Sequence, residues 1–434
     1  MLTLRPAEPK LKERRLMGRY FIHAHAAKAS AGEPKARYTD RLMNLIYLIL
    51  VRYAHAPMGS TLLTRSYSFW SIIKLGNSFG CFRRLIYVII FMQFMNGSNI
   101  MKFLTILIIS IIIGMSNLAY AQNQPSFSLP IDCELNITCF IQNYVDIDPS
   151  ENVRDYTCNK ASYNGHKGTD FRLLSTLSIQ KGVRILAAAS GVVKATRDGM
   201  ADKLALNIDD PSIKNRECGN GVVIDHGNGW EIQYCHMKKG SVIAKKGELV
   251  EQGEEIGQVG YSGLAQFAQL HITVRQNDRI IDPFTGNDNF NASCSLAQNT
   301  SSGLWDKALK KQLIYKRGDL LQSGFSTAIV TPASLEGGEA LQIPFSTSAP
   351  AIIIYARFIN LERGDKISFE ILGPSGELIK NITDPLERNK AHYVAYSGKK
   401  RPKDGWEEGS YKGKVKLLRE GETIIMQEQV IEIK

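Results

Sequence analysis

The feature that most constrains this chain is the glycine punctuation of residues 155–295. Short apolar runs there are broken every few positions by Gly, and the apolar spacing of three and four that marks a helix is missing. A segment cut so often buries its apolar faces as short strands, so an all-β domain is expected. Gly182–Val193 (GVRILAAASGVV) and Lys246–Gly260 (KGELVEQGEEIGQVG) repeat one pattern: glycine, short apolar strand, turn, glycine, second strand. Two such half-units predict an internally duplicated β-sandwich or flattened barrel. Between them, Gly221–His236 (GVVIDHGNGWEIQYCH) sets two apolar runs around Gly227-Asn228-Gly229, a hairpin signature.

At 434 residues the chain exceeds what one hydrophobic core organises. After the first β-domain, Leu304–Leu313 fits a short amphipathic helix, and Ser323–Gly338, rich in Ser, Thr, Gly and Pro, is expected to be a linker. From about Leu341 onwards, alternating runs at Ala351–Phe358, Lys366–Leu372 and Glu408–Leu418 predict a C-terminal Ig-like β-sandwich. It holds one histidine, His392, and no cysteine, so a binding or spacing role is the default. The expected organisation is mainly β: an upstream segment 1–100, a signal peptide 101–121, a cysteine-containing extension 122–154, the first β-domain 155–295, a helix and linker 296–338, and the sandwich 339–434.

Met101–Ala121 (MKFLTILIISIIIGMSNLAYA) has the form of a secretory signal: Lys102, an apolar run Phe103–Met115, then Ala119 and Ala121 in A-x-A spacing. The apolar run is short against the roughly 20 residues a bilayer span needs. Met101 is therefore expected to be the true start, with residues 1–100 a non-native extension or, failing that, a membrane-proximal or targeting segment. That places the protein outside the cytoplasm, in the periplasm, envelope or medium, with the membrane involved only through the signal.

Residues 1–100 hold 15 Lys and Arg against 4 Asp and Glu, which accounts for the whole net charge of +11. The remainder carries no net charge, which argues against a nucleic-acid partner. Six of the seven cysteines lie beyond residue 121: Cys133, Cys139, Cys158, Cys218, Cys235 and Cys294. An even number behind an export signal predicts disulfides. Cys218 with Cys235 is the favoured pair because the two flank the hairpin, and no C-x-x-C pair supports a zinc-thiolate site.

Four of the five histidines in that same region, His166, His226, His236 and His271, fall in the first β-domain. His166-Lys167-Gly168-Thr169-Asp170 is an H-x-x-x-D motif, and glycine between the two side chains lets a tight segment turn both onto one point. An imidazole and a carboxylate suit zinc, and His271, in the alternating run Gln269–Arg275, is the natural third ligand. Three ligands leave a position open for catalysis. A solvated histidine beside a turn aspartate is the plainer alternative for the same spacing.

Three stretches carry a resemblance: GHKGTDF (165–171); NGVVIDHGNGWEIQYCHM (220–237), followed by G-x-x-V-x-x-G-x-x-I-G (247–257); and GLAQFAQLHITV (263–274). In this order, residues 163–284 resemble the lysostaphin-type, or LytM-type, zinc metallopeptidases, which cut peptide bonds in bacterial peptidoglycan or in its glycine-rich bridges. The resemblance implies the duplicated hybrid-motif β-fold, one Zn2+ per chain held by His166, Asp170 and His271, and a catalytic histidine at His236. His226 is expected to be structural. The family pattern ends in H-x-H, whereas this chain reads Gln269-Leu270-His271, so Gln269 stands where a catalytic histidine is expected. It can hydrogen-bond but cannot carry a proton at neutral pH. Two functions follow as expectations: an exported zinc endopeptidase acting on peptidoglycan peptides, or a zinc-binding but catalytically weak module that binds wall peptides or regulates a second wall hydrolase. A third, weaker expectation makes the C-terminal sandwich the functional centre.

Overall fold

The computed structural model describes residues 124–205, 207, 210–288, 303–338 and 345–434. The expected signal peptide, the upstream hundred residues, Cys81 and Cys294 lie outside them.

The first part is built from β1 (Cys139–Asn143), β2 (Thr169–Leu173), β3 (Arg184–Leu186), β4 (Gly191–Arg197), β5 (Asn220–Gly227), β6 (Trp230–Met237), β7 (Leu249–Val250), β8 (Glu255–Gln258), β9 (Gln269–Gln276) and β10 (Arg279–Ile281). Eight of them make one antiparallel sheet in the order β1-β2-β9-β6-β5-β4-β7, with β10 paired to β9. The two half-units seen in the sequence pair with each other reciprocally: β3 with β8, and β4 with β7. The hairpin β5–β6 turns through Gly227, Asn228 and Gly229, all at positive φ.

Side-chain alternation decides what faces where. On β9, Leu270, Ile272 and Val274 point into the core, where they meet Phe171 and Leu173 of β2 and Ile232 and Tyr234 of β6. Each such fully buried aliphatic side chain contributes roughly 1.5–3 kcal/mol. The intervening residues of the same strands, Asp170, Arg172, Gln269, His271 and Thr273, therefore share the opposite face. The expected bond Cys218–Cys235 is present, a second joins Cys133 to Cys139, and Cys158 is also disulfide-bonded.

The C-terminal part contains β11 (Asp319–Ser326), α1 (Pro332–Gly337), β12 (Ala351–Leu361), β13 (Lys366–Gly373), β14 (Gly376–Ile382), β15 (Lys390–Lys400), β16 (Gly409–Arg419) and β17 (Glu422–Ile433). Sheets β11-β12-β15 and β14-β13-β16-β17 enclose a core that includes Ile352, Phe358, Phe369 and Val415.

Two local expectations differ. Ser323–Gly338 is not a loose linker: it ends β11 and forms α1. Thr331 and Ser334 make a reciprocal capping box, Pro332 opens the helix and Gly338 closes it at φ 77°. The residues that read as loop are those a helix end requires. Leu304–Leu313 holds only a 3-10 turn at Lys307–Leu309, because burial of Leu304, Trp305 and Leu313 ties the segment to the first core.

Candidate metal centre

His166, Asp170 and His271 converge. His166 Nε2 lies 3.3 Å from Asp170 Oδ1 and 3.2 Å from His271 Nδ1, and His271 Nδ1 lies 2.7 Å from Asp170 Oδ1. Asp170 and His271 are register partners on β2 and β9, so the ladder itself brings them together. His166 enters from the turn before β2. The outer atoms are held by the protein: His166 Nδ1–H donates to the Tyr144 carbonyl at 2.7 Å, Asn143 Nδ2 donates to Asp170 Oδ2 at 2.8 Å, and His271 Nε2 lies 2.9 Å from Thr273 Oγ1. The Tyr144 carbonyl can only accept, so the proton sits on Nδ1 and the Nε2 lone pair faces inward. Burial opposes ionisation of Asp170, yet the two histidines hold its carboxyl well below the usual range. Burial also works to lower the His166 pKa, but Asp170 outweighs it and the net shift is upward.

His236 needs a backbone device to reach the group. Strict alternation along β6 would send it away from the face that carries Cys235. Instead, the β5–β6 register shifts between Asn220 and Val222, and His236 adopts φ 64°. Left-handed backbone at a non-glycine residue costs roughly 1–2 kcal/mol, a cost typical of functional positions. The His236 N–H donates to the Cys218 carbonyl, and its Nδ1 donates to the Ser262 carbonyl at 2.8 Å, so in the neutral ring Nε2 is the acceptor nitrogen. Its ring stands 5.9 Å from that of His271, centroid to centroid. Burial first, then the neighbouring His271, pushes its pKa down to about 4, so it is neutral at pH 7.

A sequence profile, described as Peptidase family M23, matches residues 164–283. Residues 164–283 are a peptidase family M23 domain. Relatives include the peptidoglycan DD-endopeptidase ShyA of Vibrio cholerae, 29% identical over 122 residues, which are 28% of this chain and 23% of that protein. ShyB of the same organism, also a peptidoglycan DD-endopeptidase, is 32% identical over 88 residues, 20% of either chain. The DD-carboxypeptidase/endopeptidase Mpg of Neisseria meningitidis is 30% identical over 113 residues, 26% of this chain and 23% of that one. This chain thus spans about a quarter or less of these relatives' length.

The M23 domain contains all five site residues named from the sequence, and four of them, His166, Asp170, His271 and His236, gather at one place. The fifth, Gln269, lies two residues before His271 on the same face of β9 and is buried, with its Oε1 unpaired among the described residues. His226 stands apart, bonded to the Ser190 carbonyl. Sequence reasoning missed four contributors. Thr273 was legible, being two residues beyond His271 on an alternating strand. Asn143 and Tyr144 lie outside the M23 domain in a stretch with no motif, and reach the site only because β1 pairs with β2. Tyr163, 54% exposed, covers His166 at 4.4 Å between ring centroids.

Proposed function

We propose that the M23 domain is an exported zinc-dependent endopeptidase that hydrolyses peptide bonds in bacterial peptidoglycan. The observation that carries this reading is the donor set of His166, Asp170 and His271, whose ligand atoms all lie within 4.8 Å of one another. Tetrahedral zinc with bonds of about 2.0–2.1 Å places its ligand atoms roughly 3.3 Å apart. Two of the three separations here, 3.2 and 3.3 Å, match that spacing. One nitrogen from each of two imidazoles and a carboxylate oxygen, gathered at one point, are a donor set that suits a divalent cation, so the residues fit the ion. Bound there, zinc supplies Lewis acidity that polarises a peptide carbonyl and acidifies water.

The chain's own residues do the rest. The Tyr144 carbonyl, Asn143 and Thr273 orient the three ligands. His236, neutral and with Nε2 as its acceptor nitrogen, accepts a proton from the attacking water and returns it to the leaving amine. Gln269 hydrogen-bonds the substrate amide without taking part in proton transfer. The names of the relatives support the substrate class, and the disulfides together with the Met101–Ala121 signal support export.

Gln269 also favours a second reading, in which the domain binds zinc and wall peptides but turns over slowly and acts on a partner hydrolase. The test measures zinc content and release of soluble peptidoglycan fragments by residues 122–434, beside His166→Ala and Gln269→His. One zinc per chain and fragment release, both lost in His166→Ala, support the enzyme. Zinc without release, restored by Gln269→His, supports the weak module. Absence of zinc refutes both.

A further inference from the structure

Arg172 lies on the site face of β2, two residues beyond Asp170, and the chemistry above does not use it. It is buried, as are Glu336 and Arg357. Its Nη1 donates to Gln142 Oε1 at 2.6 Å, its Nη2 donates to Glu336 Oε2, and its guanidinium covers the Phe267 ring 4.2 Å from the centroid. Phe267 precedes Gln269 by two residues, and Gln269 is the register partner of Arg172 across β2 and β9. Arg172 Nε and Gln269 Oε1, a donor and an acceptor, are both buried and unpaired among the described residues.

Glu336 belongs to α1 in the C-terminal part. The same Oε2 accepts from Arg357 Nη2 of β12, while Arg357 Nη1 donates to the Leu174 carbonyl at 2.8 Å, one residue past β2. Two guanidiniums thus share one carboxylate. Burying a surplus cation is expensive, and Arg357 with Glu336 would already complete a clamp onto β2. The second arginine adds reach toward the site, which the clamp alone lacks.

We propose that Glu336, Arg172 and Phe267 form a strut through which the C-terminal β-sandwich positions Gln269 beside the metal centre. The sandwich is then part of the catalytic apparatus, and Arg172 is a positioning residue. Fixing Gln269 matters because its amide has a donor end and an acceptor end of nearly equal shape, and only a held rotamer offers one of them consistently to a substrate. The consequence for turnover rests on the peptidase reading, whereas the positioning can be read without substrate.

Arg357→Met removes only the clamp to Leu174 and His392, Arg172→Met removes the strut, and Glu336→Gln takes the sandwich's charge away from it, so a contact confined to β2 and β9 responds to Arg172→Met alone. The measurement is the side-chain amide resonance pair of Gln269 in the zinc-loaded full chain, assigned by its loss in Gln269→Glu, with kcat and KM on peptidoglycan fragments. Arg357→Met is expected to leave the resonance pair in place and kcat within about threefold. Arg172→Met is expected to shift or broaden it and to lower kcat about tenfold, with KM changed less than about threefold. Glu336→Gln is expected to move it as Arg172→Met does; an unmoved resonance in folded Glu336→Gln, or Arg172→Met and Arg357→Met that both move it or both leave it alone, overturns the strut. If Arg172→Met does not fold, Arg172→Lys decides by the same readout, and an unmoved resonance overturns the proposal. If the resonances respond as expected but the wild type releases no fragments, the strut stands and the peptidase reading falls.

Discussion

Replacing Gly168 with alanine is expected to dismantle the cluster of His166, Asp170 and His271 from a position that donates no atom to it. A Cβ at Gly168 would lie 2.2 Å from the Ile272 carbonyl oxygen and 2.6 Å from both Cε1 and Nε2 of His271. The carbonyl cannot retreat, because Thr169 pairs with Ile272, and Asp170 with His271, in the β2–β9 ladder. The imidazole cannot rotate away without losing Asp170 Oδ1 at 2.7 Å and Thr273 Oγ1 at 2.9 Å. Overpacking of this kind costs about 1–3 kcal/mol, and losing the contact to Thr273 adds about 1 kcal/mol, so a fall of roughly 2–4 kcal/mol is expected. Gly165→Ala is the control: its Cβ meets nothing within 4 Å, but φ there is +75°, so only backbone strain of about 1–2 kcal/mol is expected and zinc is kept. The assay is urea unfolding followed by tryptophan fluorescence, with zinc counted by metal analysis. Gly168→Ala holding one zinc, with stability within about 0.5 kcal/mol of wild type, would refute the steric reasoning.

Changing Cys218 and Cys235 together to Ser opens a loop of sequence separation 17 and is expected to lower stability by about 3 kcal/mol in urea unfolding; a loss under about 1 kcal/mol would show that the loop is ordered without the bond. Asn143→Ala removes the donor to Asp170 Oδ2 and is expected to weaken zinc binding about 10–100-fold in chelator competition, an unchanged affinity counting against its orienting role. Burial pushes the Asp282 carboxyl up to about 7, against the help of the Phe284 N–H. A carboxyl raised in the fold favours the folded state at low pH, and that contribution is lost as pH rises from about 4 through about 7. Asp282→Asn should therefore gain stability over wild type across this window, by up to about 4 kcal/mol at pH 8, and a pH-independent difference would refute the shift.

What the sequence determined by itself was whatever depends on neighbours a few positions apart. Glycine spacing announced short strands. The two-residue period of Gln269–Arg275 separated Leu270, Ile272 and Val274 from His271, and the Gly227-Asn228-Gly229 turn located both the hairpin and the Cys218–Cys235 bond. The H-x-x-x-D spacing brought His166, from a turn, and Asp170, from the strand that follows it, to one point. It did not reveal that Gly168 is glycine because β9 crosses there, rather than for a left-handed backbone.

Tertiary structure decided the remainder. His166 meets His271 across 105 positions, and Arg172 meets Glu336 across 164. Such contacts depend on strand order and register, which no short-range pattern encodes. Asn143 and Tyr144 came to support the candidate site only when β1 took its place beside β2, and His236 turned toward His271 through a register shift and a positive φ. Periodicity is a property of the chain alone, whereas the convergence of polar atoms on one point is a property of the closed sheet.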